Sequence, residues 1–201
     1  MQKTAEFKWL GQTHRFKVND KQWLDMGCGE NKHKGFIGVD KRRLPNVDCV
    51  HDLESFPWPF EKESISVILA SQIIEHIKPW LSIDFMNECW RILEFDGLLV
   101  LITPYGGSER SLQDPTHCNP WIRYTPFYFI PGNVLYDVYK PKQWKCEVLT
   151  FNAQHDIGFA FRKIPDITKE EEDRIRKTWK YVYMAAPHDE KKDFEVKKVR
   201  I

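Results

Sequence analysis

Runs of apolar residues broken at regular intervals divide the chain into alternating strands and helices. Residues 6 to 18, Glu-Phe-Lys-Trp-Leu-Gly-Gln-Thr-His-Arg-Phe-Lys-Val, read as two short strands around Gly11-Gln12, a hairpin ahead of the main domain. Strands follow at about Gln22 to Met26, Phe36 to Asp40 and Cys49 to Asp52. The stretch Ile65 to Ala70 is an apolar run broken only by Ser66, as expected of a strand buried on both faces. Trp80 to Leu93 predicts a helix, with Leu81, Phe85, Cys89 and Ile92-Leu93 along one stripe and Gly97 as its stop. Leu98 to Thr103 predicts a further strand, ended by Pro104. Residues 105 to 131 lose periodicity and gain Gly, Pro and aromatics, the mark of a functional loop. Residues 145 to 154 and 157 to 164 predict a closing antiparallel pair, and Thr168-Lys-Glu-Glu171 is a capping box opening a charged helix to about Met184. Such an order implies an α/β architecture with right-handed crossovers and a mostly parallel sheet. Residues 1–20 form the hairpin extension, 21–165 the main domain, and 166–201 a C-terminal helix with a polar, basic tail.

The first strand and turn carry the most chemistry. Trp23-Leu-Asp25-Met-Gly27-Cys28-Gly29 followed by Gly38-Val-Asp40 is a strand, a glycine turn and a second strand ending in a carboxylate. That arrangement suits an adenosine-type cofactor at the carboxyl ends of parallel strands. Gly27 and Gly29 permit backbone angles and close approach that a side chain forbids. Asp40 can accept from two ribose hydroxyls, and Asp25 can reach a ligand ammonium group or a bound water. Each has a plainer reading, Asp25 as a helix cap and Asp40 as an Asx-turn residue. The Gly-x-Gly-x-x-Gly spacing of dinucleotide folds is absent, because His33 stands at the fourth place after Gly29.

Asp25-x-Gly27-x-Gly29 instead resembles motif I of class I S-adenosylmethionine (SAM)-dependent methyltransferases. A second signature supports this: Asp52-Leu-Glu-Ser-Phe-Pro57-Trp-Pro59, then Ser71-Gln-Ile-Ile-Glu75-His76, then Arg91-Ile-Leu-Glu-Phe-Asp-Gly97. That order is similar to the group containing the quinone-biosynthesis C-methyltransferases, and covers residues 22 to about 104. The resemblance implies a Rossmann-like fold, a seven-stranded, mostly parallel sheet with helices on both faces and an antiparallel edge. It implies that Asp25, Gly27, Cys28 and Gly29 line the methionine end of SAM, and that Asp40, with Lys41 beside it, binds the ribose. Asp52 and the backbone of Leu53 would meet the adenine edge. Ser71 and Gln72 would lie beneath the methionyl part, with His76 one turn beyond. Ser66 and Phe95-Asp96-Gly97 depart from the group's aspartate and Pro-Gly-Gly.

The loop after residue 104 is where this fold places acceptor contacts. Its Asp114-Pro-Thr-His117 step resembles one in a subset of bacterial and phage methyltransferases. An Asp114–His117 hydrogen bond would fix the imidazole tautomer and raise its basicity, the logic of a general base; alternatively both residues pin the loop. His76 reads as a scaffold histidine or as a further member of the catalytic set. Tyr105, Arg110, Trp121 and Tyr124 are candidates for the pocket wall or for core packing, and the loop tryptophans Trp58, Trp80 and Trp121 for a binding surface. No metal site is expected, since His117 with His155-Asp156 shows no ligand spacing.

Composition narrows the partners. A formal net charge of +1 gives no global field toward nucleic acid or membrane. Neither an Asn/Asp-Pro-Pro-Tyr motif nor a Pro-Cys nucleophile follows the fourth main-domain strand, so nucleic acid is a possible but disfavoured partner beside a small-molecule or nucleotide acceptor. The Lys41-Arg42-Arg43 cluster reads as a solvated face. Five scattered cysteines suggest reduced thiols, and neither a signal pattern nor an apolar run near the roughly 18 residues of a membrane span is evident, so a cytoplasmic setting is expected. The expected activity is methyl transfer to an O, N or C acceptor; the rivals are a non-catalytic SAM-fold binder and a nucleic-acid methyltransferase.

Overall fold

A computed structural model describes residues 2–185 of the 201, with side chains through residue 177; the polar, basic tail lies outside the described residues. The strands β1 (Gln2–Trp9) and β2 (Gln12–Asn19) pair antiparallel. Then come β3 (Gln22–Met26), β4 (Ile37–Asp40), β5 (Cys49–Val50), β6 (Ile65–Ser71), the helix α1 (Ser82–Ile92) and β7 (Leu93–Pro104). Short helices α2 (Glu109–Gln113) and α3 (Tyr136–Tyr139) precede β8 (Trp144–Phe151), β9 (Asp156–Lys163) and α4 (Lys169–Ala185). The third main-domain strand is shorter than the sequence suggests, leaving His51 and Asp52 outside it.

The seven-stranded sheet runs β5-β4-β3-β6-β7-β9-β8. β3 through β7 pair in parallel, and β9 and β8 close the edge antiparallel. Chain order reverses between β3 and β6, so the crevice outside their carboxyl ends is the topological switch point where such sheets take ligands.

One face carries Leu24, Met26, Ile68, Ala70, Leu99, Leu101, Phe159 and Phe161. Phe85, Met86, Cys89 and Ile92 of α1 close over it, at the i, i+1, i+4, i+7 spacing of a helix stripe. Trp58 and Trp121 are buried in the same cluster, so neither supplies a binding surface; Trp80 is 74% exposed.

On the opposite face the hairpin packs against the sheet. Val67, Leu69, Leu98, Val100 and Ala160 there pack against Ala5, Phe7, Trp9, Phe16 and Val18 of the hairpin. Strict alternation in β1 and β2 turns these five inward and their polar neighbours to water. Trp9 is seated by a hydrogen bond from its indole Nε1 to Thr150 Oγ1 (2.5 Å), and Gly158 leaves room for the ring, since a Cβ at that position would overlap it.

Gly97 does not end α1. The helix stops at Ile92, where Leu93 turns extended and enters β7. Phe95-Asp96-Gly97 instead forms an irregularity within β7: Ile65 pairs with Leu93 but Val67 with Leu98. Asp96 has a positive φ of 62°, and a Cβ on Gly97 would lie 2.7 Å from the Glu94 carbonyl.

Candidate functional site

The glycine turn sits at the switch point and is tied to the end of β4. Gly27 N–H and Cys28 N–H both donate to the Val39 carbonyl (2.8 and 3.1 Å), and Gly29 N–H donates to Asp40 Oδ2 (3.0 Å). Gly27 has φ +69°, and a Cβ there would lie 2.7 Å from the Ile73 side chain, so both angle and space require glycine.

Asp40 is buried with all its acceptor capacity engaged. Oδ1 takes the Arg42 backbone N–H (2.9 Å) and Nε (3.1 Å); Oδ2 takes Gly29 N–H and Arg42 Nη2 (3.3 Å). Burial works against its charge, but the hydrogen bonds from Arg42 and Gly29 outweigh this and hold its pKa below the usual carboxylate value. The Arg42 side chain is itself 62% exposed.

Asp25 lies near the end of β3. It is 3% exposed, and its Oδ2 accepts from both the backbone N–H (2.8 Å) and the ring Nδ1 (2.9 Å) of His33. With no helix between β3 and β4, Asp25 has none to cap; it fastens the far side of the glycine loop. Asp52 Oδ1 accepts from Glu54 N–H (3.0 Å) in an Asx turn, and the Leu53 carbonyl accepts from Trp58 Nε1 (3.2 Å). Ser71 ends β6. Gln72, at φ +55°, donates its N–H to the Ile102 carbonyl (2.7 Å), while Lys41 is exposed after Asp40.

Two loops meet beyond β6. The Glu75 carbonyl accepts from the N–H groups of Cys118 (2.9 Å) and Asn119 (3.1 Å), and Asn119 Nδ2 donates to the Ile74 carbonyl (3.1 Å). This locks the single 3₁₀ turn Ile74–His76 against the Asp-Pro-Thr-His step and brings His76 and His117 edge to face, 4.7 Å between ring centroids. Each ring has its Nδ1 engaged. His117 Nδ1 faces the Ser111 carbonyl (3.1 Å), which must accept, so this nitrogen carries the proton. His76 Nδ1 meets Thr116 Oγ1 (3.0 Å), whose own proton goes to Asp114 Oδ1 (2.7 Å), so Nδ1 is the donor there too. Both Nε2 lone pairs are therefore left for the site.

The expected Asp114–His117 hydrogen bond is not made: Asp114 Oδ2 lies 3.8 Å from Nε2, beyond hydrogen-bond reach. The Ser111 carbonyl sets the His117 tautomer, and Asp114 acts on His76 through Thr116. Glu75, beneath the rings, is 2% exposed and accepts from Thr103 Oγ1 at Oε2 (3.0 Å). Burial pushes its pKa up to about 6. Burial, with the neighbouring His117, holds His76 below its ordinary value.

Of the wall residues, Tyr105 stacks on Phe151 (5.4 Å) and Arg110 reaches Asp156 (3.2 Å). Tyr124 is half-buried with the Arg123 guanidinium 4.9 Å from its ring. Trp121 is buried against Phe129 and belongs to the core. Sequence reading missed Glu75 and Arg42 as site residues. The adjacency of Glu75 and His76 after an apolar strand was a usable signal, whereas nothing in the Lys41-Arg42-Arg43 run singles out its middle residue.

No family model matches the chain. Two mycobacterial relatives carry the name "Probable S-adenosylmethionine-dependent methyltransferase". The one from Mycolicibacterium smegmatis is 31% identical over 99 residues, 40% of this chain and 37% of that protein. The one from Mycobacterium tuberculosis is 30% identical over 97 residues, 40% of this chain and 35% of that protein. The chain thus spans little more than a third of the curated relatives it matches. A SAM-dependent methyltransferase structure from Archaeoglobus fulgidus superposes with TM-score 0.54 at 17% identity, over 71% of this chain and 86% of that one. The Burkholderia thailandensis 1,6-didemethyltoxoflavin-N1-methyltransferase, solved with 1,6-didemethyltoxoflavin and S-adenosylhomocysteine, gives 0.52 at 12% identity, over 72% of each chain. At these identities the structures establish the fold, a Rossmann-like methyltransferase sheet. No helix among the described residues is long and apolar enough to cross a membrane.

Proposed function

We propose that the chain is a SAM-dependent methyltransferase acting on a small-molecule or nucleotide acceptor. The observation that carries this reading is the Gly27–Gly29 turn bound to the Asp40 carboxylate at the switch point of the sheet, with His76 and His117 meeting beyond the end of β6. The curated relatives and the fold support it.

The residues fit the cofactor. Two of the four bonds to Asp40 come from backbone N–H groups, and two from an exposed guanidinium that can rotate into water. Its departure frees two acceptor positions on one carboxylate, the number a ribose diol needs. The backbone of Gly27, Cys28 and Gly29 offers close approach to the methionyl part, with Ser71 and Gln72 below it and Asp52 and Leu53 toward the adenine edge. Asp25 acts one step back, holding the loop through His33. When bound, SAM supplies an electrophilic methyl group, and its transfer leaves the carbon–sulfur electron pair on sulfur.

The protein's own task is to hold the nucleophile in line and accept its proton. His117 and His76 present Nε2 for this, their tautomers fixed by the Ser111 carbonyl and by the Asp114–Thr116 relay. Tyr105, Arg110 and Tyr124 rim the approach. Calorimetric titration with S-adenosylhomocysteine, with NAD as control, tests the reading. Micromolar binding of the former alone is expected, and binding of neither overturns it. With labelled SAM and an acceptor found by screening, His117→Ala is expected to keep cofactor affinity and lose turnover; full activity would return His117 to the scaffold.

A further inference from the structure

We propose that Glu75, His76 and His117 form a binding site for a divalent transition-metal ion. One ligand atom from each residue lies within 4.8 Å of the other two. Both imidazoles have Nδ1 engaged, on the Ser111 carbonyl and on Thr116, so the atom each has left to offer is a basic Nε2. Hydrogen-bonded Nδ1–H behind a ligating Nε2 is the outer-shell arrangement that fixes metal-bound histidines. The third member brings the charge. Glu75 is almost wholly buried, and its Oε1 has no hydrogen-bond partner among the described residues, although such an oxygen is costly to bury unpaired. A cation bridging the carboxylate and the two nitrogens would satisfy it.

Two nitrogens and one oxygen suit zinc(II), cobalt(II) or iron(II) better than calcium or magnesium, which favour all-oxygen shells. Metal–ligand lengths of about 2.1 Å put tetrahedral ligand atoms about 3.4 Å apart. The three residues already hold ligand atoms within 4.8 Å of one another, and side-chain rotation must draw the set together to reach that spacing. Three protein ligands leave a coordination position open, as in catalytic rather than structural sites.

The role of that position rests on the methyl-transfer reading: it takes the acceptor, which we assign as a hydroxyl compound. Coordination lowers the hydroxyl pKa and its proton passes to solvent, a task the imidazoles then no longer perform. The bound oxygen's lone pair forms the new carbon–oxygen bond while the carbon–sulfur bond breaks toward sulfur.

The test uses the full chain, stripped with chelator and titrated with cobalt(II) and zinc(II) in the absence of cofactor. One equivalent at micromolar affinity is expected, with cobalt d–d absorption and no thiolate charge-transfer band. His117→Ala should weaken binding by more than about 100-fold. Thr116→Val, which removes the partner of His76 Nδ1 together with its bond to Asp114, should weaken it by about 10- to 100-fold. Thermal melts confirm that each variant folds. Absence of stoichiometric binding in the wild type, or unchanged affinity in a folded His117→Ala, overturns the site. So does a thiolate band, or loss of binding in Cys118→Ser, because Cys118 adjoins His117 and is exposed. S-adenosylhomocysteine affinity is measured separately, so metal binding without cofactor binding would refute the methyl-transfer reading alone.

Discussion

Asp40 and Arg42 offer the sharpest test of the cofactor site, because the structure gives opposite signs for the two residues. Two ribose hydroxyls donating to one carboxylate are each worth about 1.5–3 kcal/mol, the range for hydrogen bonds to charged groups. Against this stands the Arg42 guanidinium that they displace. It is mostly exposed and screened by water, so losing its contact offsets only a small part of this. The two bonds together are worth about 3–6 kcal/mol before that small offset, so Asp40→Ala should weaken S-adenosylhomocysteine binding by at least about 30-fold. Asp40→Asn, which keeps one acceptor oxygen and loses the charge, should fall between. Arg42→Ala removes the competitor and should tighten binding by about 1.4- to 5-fold. In the double variant that gain should vanish, since the competition acts only through Asp40. Calorimetric titration measures all four, with melts to confirm that the glycine turn survives loss of its anchor on Gly29. Unchanged affinity in Asp40→Ala would refute the site. Weaker binding in Arg42→Ala would show that the guanidinium clamps the cofactor rather than standing in for it.

Two predictions concern the scaffold. Trp9→Ala should destabilise the fold by about 3–5 kcal/mol, read by urea denaturation, because a buried ring and its bond to Thr150 are both lost; a loss under about 1 kcal/mol would mean the hairpin is dispensable to the sheet. Glu88 accepts from Arg91 (2.6 and 2.8 Å) and from Trp58 N–H (2.6 Å); burial opposes its charge, but these bonds outweigh it and hold its pKa below the ordinary value. A depressed carboxylate stabilises the folded state above its unfolded pKa and loses that contribution as pH falls through the folded value. Melting temperature should therefore drop on acidification through the carboxylate range more steeply in the wild type than in Glu88→Gln, and parallel curves would deny Glu88 this role.

Much of the sheet was legible because its signals are local. Ile65 to Ala70 is apolar at every position but Ser66, and the Phe85, Cys89, Ile92 spacing belongs to a helix whatever it packs against. The cover of the second face was not legible. Residues 6 to 18 predict a hairpin, but nothing in them says that Phe16 will rest on a strand ending near residue 100. The site divides the same way. Gly27, Gly29 and Asp40 flank one connection between neighbouring strands, so their pattern is visible in the sequence, and Gly29 N–H meets the Asp40 carboxylate. His76 and Thr116 are 40 positions apart, and their meeting depends on backbone bonds between Glu75 and the Cys118-Asn119 pair. Asp114 was recognised as a partner for a histidine, but its two-residue reach to Thr116 outcompetes His117, and periodicity carries no information about that choice.

The hairpin also sets an order of events during synthesis. Its own cross-strand bonds are local and can form within about 1–10 microseconds of both strands leaving the ribosome. Its apolar side finds cover only when Val67, Leu69, Leu98, Val100 and finally Ala160 have emerged. At about 5–20 residues per second, that leaves Phe7, Trp9 and Phe16 waiting on the order of 10 to 30 seconds with nowhere to dock. The hairpin is thus made well before the sheet that covers it is complete, and a nascent chain stalled before β9 would present an aromatic ribbon to any chaperone or neighbouring chain that meets it.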